Sequence, residues 1–535
     1  MSKLQSVQEF DAVIVGAGFA GLYMLHRMGQ IGLTARVLEA GSGPGGTWFW
    51  NRYPGARCDI ESMQYSYQFD DKLQQEWEWT ERYAAQPELL KYVAHVIERY
   101  QLAPDIQYNT RVSSARFDDA SARWQVETEN GERFSAQFCV MATGCLSSTN
   151  MPKFDGLEDF KGAVYHTGQW PHGGVDFSGL RVGVIGTGSS AIQSIPIIAE
   201  QARHLQVFQR TPNYSVPAQN GPLDPALARS IKEHYPELRA RGKTQFLAYD
   251  LKMNNRLAAD STPEEIRAEC EFRWHTGGLY FYGAFADMLI SQQANDVVAQ
   301  FVRDKIREKV RDPQVADLLT PTTVFGCKRI CADTGYFETF NRDNVSLVDV
   351  SKQPIEHITA SGLSVGAQHY ELDAIVFATG FDAMTGSLER IDIRGRTGLP
   401  LKEKWQAGPR TYLGLQTAGF PNLFTISGPG SPSVLTCMIT SIEQHVDFIA
   451  DAIVYMREHG SKCIEPVISA EDAWVDHVNE VAGGTLLNSC NSWYLGANVP
   501  GKPRVFMPYI GYPAYAEKCQ QVVAKGYEGF KLDVA

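Results

Sequence analysis

The chain has 535 residues, 44% hydrophobic and 21% charged, an ordinary globular balance but too long for one core, so two or three domains are expected. Its formal net charge of −12 argues against a nucleic-acid partner, because phosphate backbones are bound by basic surfaces. No apolar run of about 18 residues is present to span a membrane, and the polar start, Met1 to Phe10, lacks the basic flank and apolar core of a signal peptide. The terminal Leu532-Asp533-Val534-Ala535 matches no lipidation or peroxisomal signal, so a cytoplasmic protein is expected.

Ala12-Val13-Ile14-Val15 is a short β-branched run suited to a buried parallel strand. Gly16-Ala17-Gly18-Phe19-Ala20-Gly21 follows at once, and Leu22 to Met28 reads as a helix. In that setting the glycines give a tight turn, a close backbone approach to a pyrophosphate and close helix–strand contact, and the helix N-terminus meets the phosphates. A second strand, Ala35 to Leu38, ends in Glu39, whose carboxylate accepts from ribose hydroxyls and repels a 2′-phosphate. A glycine-rich turn in a nucleotide-free α/β domain is the competing reading. Next comes an aromatic and glycine-rich loop, Gly45-Gly46-Thr47-Trp48-Phe49-Trp50-Asn51-Arg52-Tyr53-Pro54-Gly55-Ala56-Arg57-Cys58-Asp59. Composition alone makes such a loop core packing.

Gln86 onward to residue 101 reads as an amphipathic helix, with strands around Ile106, Val112 and Trp124. Cys139-Val140-Met141-Ala142-Thr143-Gly144 closes the segment, and Ile375-Val376-Phe377-Ala378-Thr379-Gly380 echoes it. A second nucleotide fold begins at Arg181-Val182-Gly183-Val184-Ile185, followed by Gly186-Thr187-Gly188-Ser189-Ser190-Ala191 and a helix running through Gln193. Alanine is tolerated at the third glycine position. The next strand, Leu205 to Gln209, ends in Arg210-Thr211 rather than an acid. A guanidinium pairs with a 2′-phosphate in a bidentate way, and Thr211 adds a hydroxyl; a solvated surface arginine is the bland alternative.

Residues 216–320 break the α/β alternation. Thr262-Pro263-Glu264-Glu265 is a capping box with proline at the first helical position, and Val298, Val302, Ile306 and Val310 form one apolar stripe. Cys327-Lys328-Arg329 re-enters the nucleotide fold. Ten cysteines are scattered without a framework, so buried reduced thiols are expected and a zinc site is not.

Between the two glycine loops lies Phe160-Lys161-Gly162-Ala163-Val164-Tyr165-His166-Thr167-Gly168-Gln169-Trp170-Pro171. Its spacing, F-x-G-x-x-x-H-x-x-x-W-P, closely resembles the fingerprint of type I Baeyer–Villiger monooxygenases, and the resemblance covers nearly the whole chain. It implies an α/β protein with two Rossmann-like domains, FAD at the Glu39 site and NADPH at the Arg210 site. It also implies a monooxygenase that inserts oxygen from O2 beside a ketone carbonyl through a C4a-peroxyflavin, with sulfides as a further substrate class. The domains read as FAD-binding 1–145 and 376–535, NADPH-binding 146–215 and 325–375, a helical insertion 216–324, and a lid loop about 487–504.

For individual residues the resemblance implies that Gly16, Gly18, Phe19, Ala20, Gly21, Glu39, Gly46, Thr47, Trp48, Asp59, Tyr65, Val112 and Met438 line FAD. It implies that Gly186, Thr187, Gly188, Ser189, Ser190, Gln193, Arg210, Thr211, Lys328 and Trp493 hold NADPH. Arg329 is then the active-site cation and Asp59 its orienting partner, while Ser433, Val434, Leu435 and Met438 border the substrate. His166 is expected to hydrogen-bond backbone in the linker and to do no chemistry. Arg57-Cys58-Asp59-Ile60-Glu61-Ser62 and Ser431-Pro432-Ser433 look most like the phenylacetone and steroid branch. The expected substrate is a small ketone, and the expected assembly a monomer or weak oligomer. The competing readings are a flavin monooxygenase acting on nitrogen or sulfur, and a two-dinucleotide reductase or redox sensor. A disulfide reductase needs a cysteine pair after the first nucleotide unit, where only Cys58 is found.

Overall fold

The computed structural model describes residues 6–534; the expectations for the extreme N-terminal residues and for Ala535 lie outside them. The chain builds a first sheet, leaves it for a second, and returns. β1 (Gln8–Val15) contains the buried run Ala12 to Val15 and pairs in parallel with β2 (Ala35–Leu38). β3 (Ile106–Gln107) continues that edge in parallel. β4 (Val112–Asp118), β5 (Arg123–Thr128) and β6 (Arg133–Met141) form an antiparallel meander, and β6 closes it onto the other side of β1 in parallel.

The second sheet takes its strands from both sides of a helical stretch. β7 (Ala163–His166), β8 (Arg181–Ile185) and β9 (His204–Gln209) come first, and β10 (Ser215–Pro217) pairs with β11 (Cys331–Asp333). Between β10 and β11 every described element is helical. The capping box forms as expected, with the Glu265 amide donating to Thr262 Oγ1 at 3.3 Å and the Thr262 amide to Glu265 at 2.9 Å. The stripe Val298, Val302, Ile306 on helix Gln292–Lys309 is wholly buried. β12 (Val345–Asp349) rejoins the second sheet, β13 to β15 (Ile355–Thr359, Gly362–Val365, Gln368–Glu371) make an antiparallel flap, and β16 (Ala374–Phe377) completes the order β12-β9-β8-β16-β7. β17 (Asp392–Arg394) and β18 (Leu423–Thr425) then return to the first sheet beside β4 and β6. Antiparallel β19 (Ser461–Pro466) and β20 (Phe530–Val534) end the chain.

The echoed Ala-Thr-Gly strands explain the two glycine loops. Gly16 has φ +108° and Gly186 φ +117°, in the region that favours glycine. A Cβ on Gly16 would lie 2.6 Å from the Ala142 carbonyl oxygen, and one on Gly186 would collide with the carbonyl of Ala378. Both β–loop–helix turns are therefore pressed against the end of a neighbouring parallel strand.

Helix Met438–Glu458 packs along helix Phe19–Gln30 beneath the first sheet. On it, Glu443 accepts from the amides of Gln68 at 2.6 Å and Phe69 at 3.1 Å. Burial pushes its carboxyl up from 4.5 to about 7, against the pull of those amides, Arg239 and Lys243. The folded protein thus keeps a proton that the unfolded chain releases near its ordinary value, and this group lowers stability as pH rises from 4.5 to about 7. Glu443→Gln, which keeps an acceptor for both amides, is expected to stabilise the protein at pH 8 by up to about 3 kcal/mol and to change it little at pH 4.5. Thermal or urea unfolding at the two pH values checks this; an equal change at both refutes it.

Candidate active site

At the first nucleotide loop, Glu39 directly follows β2 and is nearly fully buried. Its Oε2 accepts from the Ala17 amide and its Oε1 from the Gly41 amide, each at 2.7 Å. Desolvation raises its pKa and the backbone donors pull it back. Each oxygen keeps a lone pair for a ribose hydroxyl. Gly18 and Gly46 lie back to back, a Cβ on Gly46 falling 2.9 Å from Gly18 Cα. That approach keeps side chains off the loop just before helix Phe19–Gln30, as close approach of a pyrophosphate requires. Trp48 Nε1 donates to Tyr65 Oη at 3.3 Å, and the Phe19 ring meets Tyr65 edge-on at 5.8 Å. Ala20 and Gly21 are buried in the helix's first turn, and Thr47 stands exposed beside Trp48. Val112 opens β4 two residues beyond Thr110, whose amide donates to the Glu39 carbonyl at 2.8 Å. The acceptor oxygens of Glu39 fit a dinucleotide with a free 2′-hydroxyl, as FAD has.

The second loop repeats the first. Gly188 precedes helix Ser189–Gln201 with φ −84° and ψ −174°, against −80° and −173° at Gly18. Thr187 Oγ1 donates to the Thr211 carbonyl at 2.8 Å, drawing the loop to the end of β9. Ser190 Oγ lies 3.1 Å from Thr167 Oγ1 of the linker. The Lys328 ammonium is disfavoured first by burial and then by the charge of Arg210. The two cations are near enough to disfavour one another's charge, and the 2′-phosphate of NADPH would relieve that repulsion.

Arg329 lies where the two nucleotide units meet. Its Nε donates to Asp59 Oδ2 at 2.7 Å, Nη2 to Asp59 Oδ1 at 2.9 Å, and Nη1 to the Val434 carbonyl at 2.9 Å. Burial works against the charge, but the Asp59 carboxylate outweighs it and raises the guanidinium well above its ordinary value. The loop that carries Asp59 is held in turn by a clamp that spacing does not reveal. Gln193 Oε1 accepts from Tyr53 Oη at 2.8 Å and from the Arg57 amide at 3.4 Å, while its Nε2 donates to the Arg57 carbonyl at 3.2 Å. The Gln193 amide expected at the coenzyme is therefore engaged with the loop that carries Asp59.

His166 is buried. Its Nδ1 accepts from the Gly168 amide at 3.0 Å, and its Nε2 lies 3.3 Å from Thr379 Oγ1. Burial lowers its pKa, so it is a neutral linker hydrogen-bonder.

The segment expected as a lid loop packs against Val434, whose carbonyl accepts from Arg329. Tyr494 is fully buried and clusters with Val434, Leu435, Phe506 and Met507, while Trp493 and Met438 pack part-buried at the edge. The most buried ring of that segment is thus Tyr494 rather than the neighbouring Trp493, whose ring lies 4.4 Å away. Lys502 pairs with Asp382 and donates to the Ala383 carbonyl at 2.8 Å, and Asn498 donates to the Phe381 carbonyl at 2.7 Å. Contrary to the expectation from their scattered positions, the cysteines are not all reduced. Cys327 and Cys490, 163 residues apart, form a disulfide, and the other eight are free and buried. Such a distant pairing cannot be read from spacing. Cys58 is among the free thiols, without a partner for reductase chemistry on the first nucleotide unit.

A family model described as pyridine nucleotide-disulphide oxidoreductase matches residues 13–277. A Baeyer-Villiger monooxygenase of Pseudooceanicola batsensis is 41% identical over 530 residues, 98% of this chain and 96% of that protein. The chain belongs to the Baeyer–Villiger monooxygenase family. Among solved structures, an oxidized steroid monooxygenase bound to NADP is 52% identical with a TM-score of 0.94, covering 99% of this chain and 100% of that one. A closed cyclohexanone monooxygenase is 40% identical with a TM-score of 0.97 over the same shares. The higher identity to the steroid enzyme agrees with the branch read from residues 57–62 and 431–433. This Baeyer–Villiger monooxygenase is an FAD- and NADPH-dependent enzyme acting on a small molecule, and no helix among the described residues is long and apolar enough to cross a membrane.

Arg210→Ala is expected to weaken NADPH by about 1.5–3 kcal/mol, a lost charged hydrogen bond, and to leave NADH nearly unchanged. Steady-state KM for the two coenzymes measures it, and equal losses would remove Arg210 from phosphate recognition.

Proposed function

We propose that this enzyme converts a ketone into an ester or lactone, and that Arg329 is the group acting on the carbonyl. The observation that carries this reading is how the guanidinium is occupied. Of its five N–H bonds, two go to Asp59 and one to the Val434 carbonyl. One hydrogen on each terminal nitrogen is left for a substrate oxygen. Bound flavin, reduced by NADPH, supplies the activated oxygen. As the ketone carbonyl is attacked, negative charge gathers on its oxygen, and a cation already fixed by three hydrogen bonds stabilises it without reorganising. Asp59 keeps Arg329 protonated and aimed. Val434, Leu435, Phe506 and Met507 keep water away from the reacting carbon, which strengthens the electrostatic effect.

The loop Ser431-Pro432-Ser433 and the similarity to a steroid monooxygenase support a bulky or aryl-substituted ketone. The eight free thiols support a cytoplasmic setting, and we propose a monomer or weak oligomer. Purified, flavin-loaded protein given NADPH, labelled O2 and a panel of aryl-alkyl, linear, cyclic and steroid ketones should yield labelled ester; an N-oxide or sulfoxide without ester would favour the nitrogen- or sulfur-oxidising alternative.

Arg329→Ala is expected to keep oxidising NADPH and consuming oxygen but to release hydrogen peroxide, with ester formation down by a factor on the order of 10² to 10³. Product analysis against peroxide titration checks it. Normal ester yield would remove Arg329 from the chemistry.

A further inference from the structure

We propose that Cys327 and Cys490 are a peroxide-responsive thiol pair whose oxidation latches the lid over the coenzyme side of the active site. The inference rests on the monooxygenase reading above. Cys327 immediately precedes Lys328 and Arg329, and Cys490 lies three residues before Trp493. The bridge therefore ties the lid to the backbone that carries the anion-binding lysine and the active-site arginine.

The other lid contacts are of a different kind. The Lys502–Asp382 pair, the Asn498 hydrogen bond to Phe381, the Met507 amide to the Tyr494 carbonyl at 3.0 Å and the Leu486 amide to the Leu289 carbonyl at 2.8 Å are all noncovalent. They can open and close with each coenzyme, as lids over cofactors do. The disulfide cannot open without a reductant. It also belongs to no structural framework, since the remaining eight cysteines are unpaired and buried. In a chain otherwise rich in free thiols, an isolated bridge beside a site that handles oxygen has the placement of a redox sensor.

The two sulfurs divide the chemistry. Cys327 is fully buried, whereas Cys490 is half-buried and is the one a small peroxide reaches first. The Cys490 thiolate attacks one oxygen of hydrogen peroxide, the O–O bond breaks, and a sulfenic acid and hydroxide form. The Cys327 thiolate then attacks that sulfur, the S–O bond breaks and a second hydroxide leaves. With the two thiol protons the balance is two thiols and one peroxide to one disulfide and two waters. The oxidant is the hydrogen peroxide that a flavin monooxygenase releases when NADPH and oxygen are consumed without ketone. Latching the lid would then retain the spent coenzyme and slow further wasteful turnover, and a dithiol would reset it.

The test uses the holoenzyme, reduced with dithiothreitol and desalted. One portion receives hydrogen peroxide, and another NADPH and air without ketone, with and without catalase. Acid quenching, alkylation, proteolysis and mass spectrometry should find the 327–490 linked peptide in both, suppressed by catalase in the second and reversed by dithiothreitol. NADP release, followed by stopped flow, should be about tenfold slower from the oxidised holoenzyme than from the reduced one. Cys490→Ser and Cys327→Ser should each release NADP at one rate in both conditions. Two alkylated thiols after peroxide treatment, or linked peptide with an unchanged release rate, would overturn the proposal. The oxidised and reduced wild-type forms decide it even where a variant fails to fold. Added peroxide probes the pair whether or not any ester is made, so its failure and that of the ketone reading are separately visible.

Discussion

The two-pronged pair between Asp59 and Arg329 is the contact around which the molecule is arranged. Its members come from opposite sides of a division: Asp59 from the loop after the first nucleotide turn, Arg329 from the point where the helical insertion runs back into the second. Both side chains are about one-fifth exposed, so the pair is neither a surface salt bridge of negligible worth nor a dry one whose desolvation dominates. Its value lies in position. It fixes a cation in orientation while leaving that cation two free hydrogens, and it can form only when the two nucleotide units are docked. The Gln193 clamp on Tyr53 and Arg57 serves the same docking from the other direction. Gly55 belongs to this contact too, because a Cβ there would collide with the Gln193 carbonyl.

The linker residues have an equally physical explanation. Phe160 is buried under the flap of the second sheet, and Gly162 packs where a side chain would strike the Asp373 carbonyl. His166 hydrogen-bonds its own turn and reaches Thr379, while Thr167 touches Ser190 of the second glycine loop. Trp170 is buried against Tyr165 and Phe177. None of these side chains touches Arg329. The pattern records how a connecting strand is seated between a coenzyme loop and a domain crossing. The spacing that carries the resemblance is thus accounted for by packing and linker hydrogen bonds.

What could be read from the sequence was what is local. The strand–glycine–helix turns, the acid after one and the arginine after the other, and the capping box at Thr262 are all set by neighbours within about one supersecondary unit. Arg329 and Asp59 were reachable only through resemblance, because a Lys-Arg dipeptide and a lone aspartate have no period or spacing that speaks of chemistry. The Val434 carbonyl on Arg329, 105 residues away, the Gln193 clamp across 136 and the disulfide across 163 are products of the tertiary fold. That Tyr494 rather than Trp493 is the fully buried ring is settled by the tertiary fold in the same way. Both are large aromatics, and only the direction of a short turn decides which one faces inward.

The two passages between the sheets run side by side. The Asn150 amide donates to the Gly380 carbonyl at 2.9 Å, the Asp382 amide to Ser148 at 2.8 Å, and the Met384 amide to Cys145 at 2.8 Å. Seen from the first sheet, everything between these residues is one long excursion whose ends are already stitched together. Closing such an excursion costs little more for a large unit than for a small one. The coenzyme half of the molecule is in this sense a cassette. It could be exchanged for another of different length as long as the incoming piece restores the paired ribbons at its base and a glutamine-like clamp on the loop bearing Asp59.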